Sequence, residues 1–542
     1  AAGDAQFFPE LIRRQLLDNP HRVTLLLRPD PEHAQREEQA FAERLDEIRQ
    51  HLDTAAIDEI KTKAANLQKS QEAEDDTSCL PILELSDIEI DEPTTPFVTT
   101  KIAGRKVFWF SQPTNGITYL NLQFRSAGLD ETLRPYLPVF GALLPQIGAA
   151  GHDYLAMSRR VTAATGGIRF GTNLLESPVD LDTVNPVLEL KGKALDRNQE
   201  KLCGIIADML TTPDFSDLAR LRTVIGQVRT SMENSIPGAG HSFAARAAAA
   251  SLTPTAAQRE EWSGMSQVQT IRAASNLDDN DLAALADAFA AISKEIFSRA
   301  RVTVAVTTEE SARPTMHSPL TDLLAALPRG AVADNDRHLA FACRASSTAW
   351  QYNLPVAYVS RVFRTVPYTH PDAPVLIVLA KLLRADFLHR EIREKGGAYG
   401  GMAGYNADGG LFSMLSYRDP HLKRTLDVYR QAVEWTCRGD FSSEMIKQSI
   451  LTAFAELDRP LSPGSRGYRE FLHQQQGMTH DMIHAFRNGI LCVDQKQLAR
   501  AAQTYLEHPF QDSSVGILAG EEMFGKAEKT LSRLHTQVKR LE

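Results

Sequence analysis

Two imidazoles one helical turn apart are the first place to look for chemistry in this sequence. In His480-Asp481-Met482-Ile483-His484 they stand at i and i+4, the spacing by which a zincin helix offers two ligands to zinc. Asp481 takes the place of the zincin glutamate base, one methylene shorter. No clear third ligand follows, although His508 is available. Thr479 reads as an N-cap, which puts both histidines in the first turn of a solvated surface helix. Gly240-His241-Ser242 sets a hydroxyl beside an imidazole, but no GxSxG elbow surrounds it, and the alanine-rich run that follows reads as a helix start. Thr165-Gly166-Gly167 lacks the GxGxxG or Walker pattern of a phosphate site. The segment His389 to Gly401, HREIREKGGAYGG, is the densest in useful side chains. By spacing alone it reads as a helix ending in Arg393 and Lys395, which suit the negative end of the helix dipole. Gly396 and Gly397 then cap it, and Tyr399 returns to the core. His152, His389 and His421 are isolated and read as structural or surface residues.

The totals narrow the classes. Five cysteines (Cys79, Cys203, Cys343, Cys437 and Cys492) are scattered with no CxxC, so neither a disulfide framework nor a cysteine zinc site is indicated. A reducing compartment is expected, a bacterial cytoplasm or an organelle matrix. A net charge of -9 argues against a nucleic-acid partner, which normally meets a basic face. It allows an acidic interior that attracts basic peptides, with generic solubilising charge as the simpler reading. No apolar run approaches a membrane span, and AAGDAQFFPE has neither the basic start nor the apolar core of a signal peptide.

The elements that must position these residues fall into five stretches. Residues 1–30 hold a short helix (Pro9 to Leu17), the Asn19-Pro20 breaker and a strand, Arg22 to Arg28. One strand cannot satisfy its own backbone, so this stretch reads as the tail of a domain whose body lies elsewhere. Residues 31–75 carry two narrow apolar stripes, Phe41, Leu45, Ile48, Leu52 and Ile57, Ile60, Ala64, Leu67, divided by Asp53-Thr54. They predict an antiparallel helical hairpin. Residues 76–96 read as an extended linker: from Glu72 to Pro96 there are nine acidic residues and no Lys or Arg. Residues 97–320 open with KVFWF and ITYLNLQFRSA as strands across the Pro113-Thr114-Asn115-Gly116 turn, followed by a helix over Tyr136 to Ile147. Residues 330–542 repeat that order, with strands around Leu339 to Arg344 and Val356 to Arg364. A long apolar helix, Ala373 to Ile392, and a strand at Gly410 to Tyr417 follow. Thr165-Gly166-Gly167-Ile168 matches Lys395-Gly396-Gly397-Ala398. The prediction is a diverged duplication of an α+β domain, mainly antiparallel sheet with helices packed on it.

Over nearly its full length the chain resembles a known family. PTNGITYLNLQF with PYLPVF, then TGGI, GHSFAARAAAASLTP with EWSGMSQ, and above all LHREIREKGGAYGG are similar to the C-terminal half of presequence proteases. These are a branch of the insulinase-like, pitrilysin-type zinc metallopeptidases. The resemblance implies four related α+β domains around a closed chamber, with residues 97–320 as the third and 330–542 as the fourth. It implies that zinc is held in the first domain, outside this sequence, by a His-x-x-Glu-His motif and a downstream glutamate. No such motif occurs here, and the equivalent helix, PYLPVFGALLPQ, offers no imidazole or carboxylate. This half is therefore expected to bind no metal and, alone, to be inactive.

The resemblance also assigns roles. Arg393 and Tyr399 match an arginine and a tyrosine that the family's C-terminal half brings opposite the zinc, the phenol as an oxyanion donor and the guanidinium as a fork for a substrate carbonyl or carboxylate. Gly396, Gly397, Gly400 and Gly401 would let the backbone turn and approach the substrate. Arg466 and Tyr468 in SPGSRGYREF resemble a family segment near the substrate and receive no role. The implied partners are the zinc-bearing half and short unstructured peptides, such as cleaved targeting peptides. The alternative reading is an inactive scaffold or binding subunit.

Overall fold

A computed structural model describes residues 6–28, 30–72, 83–92, 94–330 and 341–541. Cys79, residues 73–82 of the linker region, and Leu339 with Ala340 lie outside the described residues. The chain divides into two compact units, Ala1–Ile82 and Leu83–Glu542.

In the first unit α1 (Phe7–Ile12) runs on into a π-helical turn, Arg13–Leu17. Arg22 to Arg28, read from the sequence as a strand, is chain without a strand partner, and Val23, Leu25, Leu26 and Leu27 are exposed. A strand exists only where a neighbour takes up its hydrogen bonds, and none does so among the described residues. Next come α2 (His33–Gln50) and α3 (Thr54–Glu72). Asp53 caps α3, its carboxylate accepting from the Ala56 amide at 2.7 Å. Phe41, Leu45 and Ile48 on α2, and Ile57, Ile60 and Leu67 on α3, remain exposed.

The second unit holds two six-stranded sheets. The first contains β1 (Phe97–Ile102), β2 (Arg105–Ser111), β3 (Ile117–Arg125), β4 (Ile168–Leu175), β5 (Asn185–Leu195) and β6 (Val302–Thr308). Their spatial order is β1-β2-β6-β3-β5-β4. The second contains β7 (Ser347–Gln351), β8 (Tyr358–Arg364), β9 (Gly400–Asn406), β10 (Leu411–Tyr417), β11 (Ser514–Ala519) and β12 (Gln537–Arg540), in the order β9-β10-β8-β11-β7-β12. Two sequence expectations shift. β2 and β3 flank their turn without pairing, because β6, a VTVAVTT run almost wholly buried, takes the place between them. The strand placed at Leu339 to Arg344 begins instead at Ser347.

The duplication is visible in the ordering. β2-β6-β3-β5-β4 and β7-β11-β8-β10-β9 are the same path, with the first pair parallel and the others antiparallel in both. The sixth strand differs: β1 adds antiparallel to β2, whereas β12 adds parallel to β7. Alternation in β3 sends Leu120, Leu122 and Phe124 into a core with the α4 helix (Leu137–Leu143), and Tyr119, Asn121 and Gln123 to the opposite face.

That opposite face is covered by a helix of the other repeat, Pro463–Gln476, and the exchange is mutual. α5 (Leu218–Ala249) buries Leu221, Val224 and Ile225 in the first core, then kinks at Ala239, two residues past Pro237. Beyond the kink Phe243, Ala244 and Ala247 pack with Trp350, Tyr358 and Leu518 of the second repeat. In return α7 (Pro463–Gln476), which follows α6 (Ala373–Leu382), lays Phe471 against Phe108, Phe110 and Ala305 of the first sheet. Both crossings need a glycine. A Cβ on Gly240 would lie 2.4 Å from the Tyr358 ring, and one on Gly464 would lie 2.8 Å from the Tyr119 ring. The described part of the acidic linker is strapped down rather than free. Arg487 donates to the Glu89 and Ile90 carbonyls at 2.6 Å, and Lys447 and Arg469 pair with Glu84 and Glu92 at 2.7 Å.

Candidate functional site

The segment His389 to Gly401 begins as the buried, apolar α6 runs out into a π-helical stretch, Leu383–Glu394, whose last turn carries Arg393. Gly397 ends it with φ +76°, its amide donating to the Arg393 carbonyl at 2.9 Å while Ala398 donates to Ile392 at 3.1 Å. Gly396 sits so close to the helix that a Cβ would lie 2.3 Å from the Ile392 carbonyl oxygen. Both glycines are thus demanded by the turn. Gly400 and Gly401 open β9, the edge strand of the second sheet.

Tyr399 is not a core residue. Its backbone joins the sheet, the amide donating to the Tyr417 carbonyl at 3.1 Å, but the residue is 65% exposed. Its ring stands edge-on to Tyr417, 5.5 Å between centroids. Arg393 lies 5.7 Å from the Tyr399 ring centroid, and its Nη1 is 3.2 Å from His389 Nε2. A guanidinium can only donate, so that nitrogen accepts and Nδ1 carries the proton toward Glu394, 3.2 Å away. His389, read as isolated, is thus the partner that steadies Arg393. The result is a forked cation and a phenol side by side on an exposed surface.

Three further residues complete this surface, and none was singled out for it from the sequence. Tyr417 ends β10, and Arg418 follows it with φ +49°, its guanidinium 5.5 Å from the Tyr417 ring. His241 comes from the other repeat: just past the α5 kink, its ring stands edge-on to Tyr417 at 5.1 Å. Burial and nearby Arg246 hold its imidazole below the usual histidine range. The available signal was the Pro237-Gly238-Ala239-Gly240 break immediately before His241, a local interruption of an otherwise strong helix pattern.

The other candidates separate from this surface. His480 and His484 lie in the first turns of α8 (His480–Leu491), behind the Thr479 cap, and His484 faces Asp91 at 3.5 Å. Among the described residues no group of three or more His, Cys, Asp or Glu is arranged to hold a metal. The zinc that the family resemblance implies has no fitting donor set in them. Tyr468 is structural: its hydroxyl donates to Glu189, with the two carboxylate oxygens at 2.7 and 2.8 Å, and Lys191 lies 3.6 Å from its ring, tying α7 to the first sheet. Arg466 is exposed on α7. The Cys203 thiol is buried and pushed up to about 12 by that burial, with Asp322 adding to it. No described helix is long and apolar enough to cross a membrane.

Comparison with known proteins adds the family. The family described as associated with M16 peptidases of subfamily C matches residues 27–273, and the PreP C-terminal domain family matches residues 354–520. The mitochondrial presequence protease of Danio rerio is 30% identical over 540 residues, covering 95% of this chain and 52% of that protein. That of Yarrowia lipolytica is 30% identical over 535 residues, covering 98% and 53%. The chain thus spans about half the length of the curated relatives it matches. Among solved structures, a protease from Helicobacter pylori superposes with a TM-score of 0.56 at 13% identity, covering 79% of this chain and all of that one. A peptidase M16 inactive domain from Pseudomonas fluorescens gives 0.57 at 15% identity, covering 78% and 98%. At such identities these two speak for the fold alone. Together with the duplicated sheets, these matches show that the chain belongs to the insulinase-like (M16, pitrilysin-type) peptidase family and corresponds to the C-terminal half of presequence proteases.

Proposed function

We propose that this chain is the non-zinc-binding half of a zinc metalloendopeptidase that degrades short unstructured peptides inside a closed chamber. Residues 97–320 and 330–542 serve as the third and fourth of its four domains, and the zinc-bearing half is a separate region or chain. The observation that carries the reading is the pair Arg393 and Tyr399. A core tyrosine would be buried, whereas this phenol is exposed with a forked cation over its ring and a steadying histidine behind that cation. When water attacks a peptide carbonyl, charge gathers on one oxygen, and a phenol aimed at that oxygen lowers the barrier. The guanidinium holds a neighbouring substrate carbonyl or carboxylate. Peptides such as cleaved targeting sequences fit this role. The relatives' mitochondrial names point to an organelle matrix, and the scattered free cysteines suit a reducing compartment.

The test is recombination. This chain and a zinc-bearing N-terminal half are each assayed alone and mixed, with an unstructured peptide and with a folded protein as substrates. Turnover of the peptide only in the mixture, with the folded protein spared, is the expected result. A mixture that assembles by gel filtration yet cleaves nothing would make the chain an inactive scaffold.

A further inference from the structure

Arg418 is set apart by its backbone and by its charge. A non-glycine residue at φ +49° pays on the order of 1 kcal/mol or more, and such conformations persist where the surrounding structure enforces them, often at binding sites. Here the strain comes directly after β10 and carries the guanidinium over the Tyr417 ring, 5.5 Å from its centroid, while the neighbouring Tyr358 hydroxyl donates to the Pro237 carbonyl. Neighbouring Asp419 does not neutralise it. That carboxylate is buried and accepts from Thr425 Oγ1 at 2.5 Å and from the His421 amide at 2.8 Å. Neither Arg418 nor Arg393 pairs with a carboxylate among the described residues. Elsewhere in the same unit Arg134, Arg160, Arg259 and Arg364 all do. Two unneutralised guanidiniums therefore flank one aromatic wall, Tyr399 and Tyr417, in a chain whose net charge is -9.

We propose that Arg418, backed by Tyr417 and His241, forms a second subsite beside Tyr399 that holds a carboxylate of the bound peptide. A planar fork already oriented by a ring loses little freedom on gripping two carboxylate oxygens. His241 acts as a positioning residue. Its Nδ1 is buried with no hydrogen-bond partner among the described residues, and its ring braces Tyr417 edge-on, so the wall is shared between the two repeats. The carboxylate is either the peptide's C-terminus or an acidic side chain, since both present the same pair of oxygens.

The inference rests on the reading that Tyr399 and Arg393 face peptide substrate, and an equilibrium binding measurement on this chain separates the two. Three labelled versions of one unstructured neutral peptide are titrated: a free acid, a C-terminal amide, and an amide with one internal glutamate. The free acid or the glutamate peptide is expected to bind about tenfold more tightly than the plain amide, the size of one charge-assisted hydrogen-bonded contact. Whichever of the two is preferred identifies the source. Arg418→Gln is expected to erase the preference, Arg418→Lys to keep part of it, and His241→Phe to leave the folded chain's melting curve intact while weakening the preference. Should Arg418→Gln fail to fold, the lysine variant and the three ligands on the wild type still decide. Equal binding of all three peptides, or a preference that survives in Arg418→Gln, overturns the subsite. Loss of the oxyanion role of Tyr399 would leave the carboxylate preference unchanged, so the two ideas fail separately.

Discussion

A glycine-rich turn leads into an edge strand in both repeats of the second unit, and only one copy carries the side chains proposed to act. In the first repeat the Gly166 amide donates to the Lys193 carbonyl at 2.7 Å; in the second, the Tyr399 amide donates to the Tyr417 carbonyl at 3.1 Å. On the flanking strands Tyr119 lies opposite Lys193 in the first sheet, and at the matching strand ends of the second the rings of Tyr358 and Tyr417 stand 5.7 Å apart. By this bonding Tyr399, Tyr417 and Arg418 take the places of Gly166, Lys193 and Ala194; Tyr399 stands three residues on from Gly396, which the Gly-Gly match of the sequences sets against Gly166. Where His241 follows the glycine that crosses Tyr358, Ser465 follows the glycine that crosses Tyr119. The backbone plainly tolerates small or aliphatic-stemmed residues at all four places. The aromatic and cationic set is therefore an addition to the fold rather than a requirement of it.

The shared part of the comparison, the exchanged helices, is where the largest loss of stability is expected. Gly240→Val forces branched carbon into the Tyr358 ring and should cost about 3 kcal/mol, with Gly464→Val acting alike against Tyr119. Thermal or urea unfolding checks this. An unchanged midpoint in either variant would show that the two crossings are not equivalent.

A smaller effect is expected from Glu260, which faces Arg246 on the crossed half of α5. Burial pushes its carboxyl up to about 7, and its Oε2 has no hydrogen-bond partner among the described residues. A carboxyl raised in the folded state binds its proton more tightly than the unfolded chain does. Its contribution is most favourable below about 4.5 and declines as pH rises to about 7, then levels off. The wild type should lose on the order of 3 kcal/mol across that window from this group, and Glu260→Gln should flatten the slope. Unfolding curves at several pH values check it; equal slopes in wild type and variant would place the titration elsewhere.

How much of this was legible beforehand varied with the physics behind each element. The Gly-Gly turns, the Asp53 break and the Thr479 cap announce themselves through local backbone chemistry, and the sequence reading of each agrees with the structure. The exposure of Tyr399 was not legible from spacing, because a tyrosine after a glycine cap packs inward as readily as outward; only the family resemblance marked it. His241, Tyr417 and Arg418 were missed as a group because they come from different repeats and meet only through the α5 crossing. β6 between β2 and β3 was hidden for a similar reason: a long-range pairing overrides what looks like a local hairpin. Arg22 to Arg28 has strand composition but no strand, since its apolar residues find no sheet among the described residues.

The central claim is that Tyr399 acts on the reacting carbonyl while its counterpart position does not. Tyr399→Phe keeps the ring that leans on Tyr417 and removes only the hydroxyl. In the recombined two-half enzyme, steady-state kinetics on an unstructured peptide should show kcat lower by about a hundredfold, with KM and the melting temperature little changed. Arg393→Ala should lower kcat/KM with a larger share in KM, and Lys193→Ala, at the first repeat's counterpart of Tyr417, should leave both constants as they were. Wild-type kcat in Tyr399→Phe, in a protein that melts normally, would contradict the account.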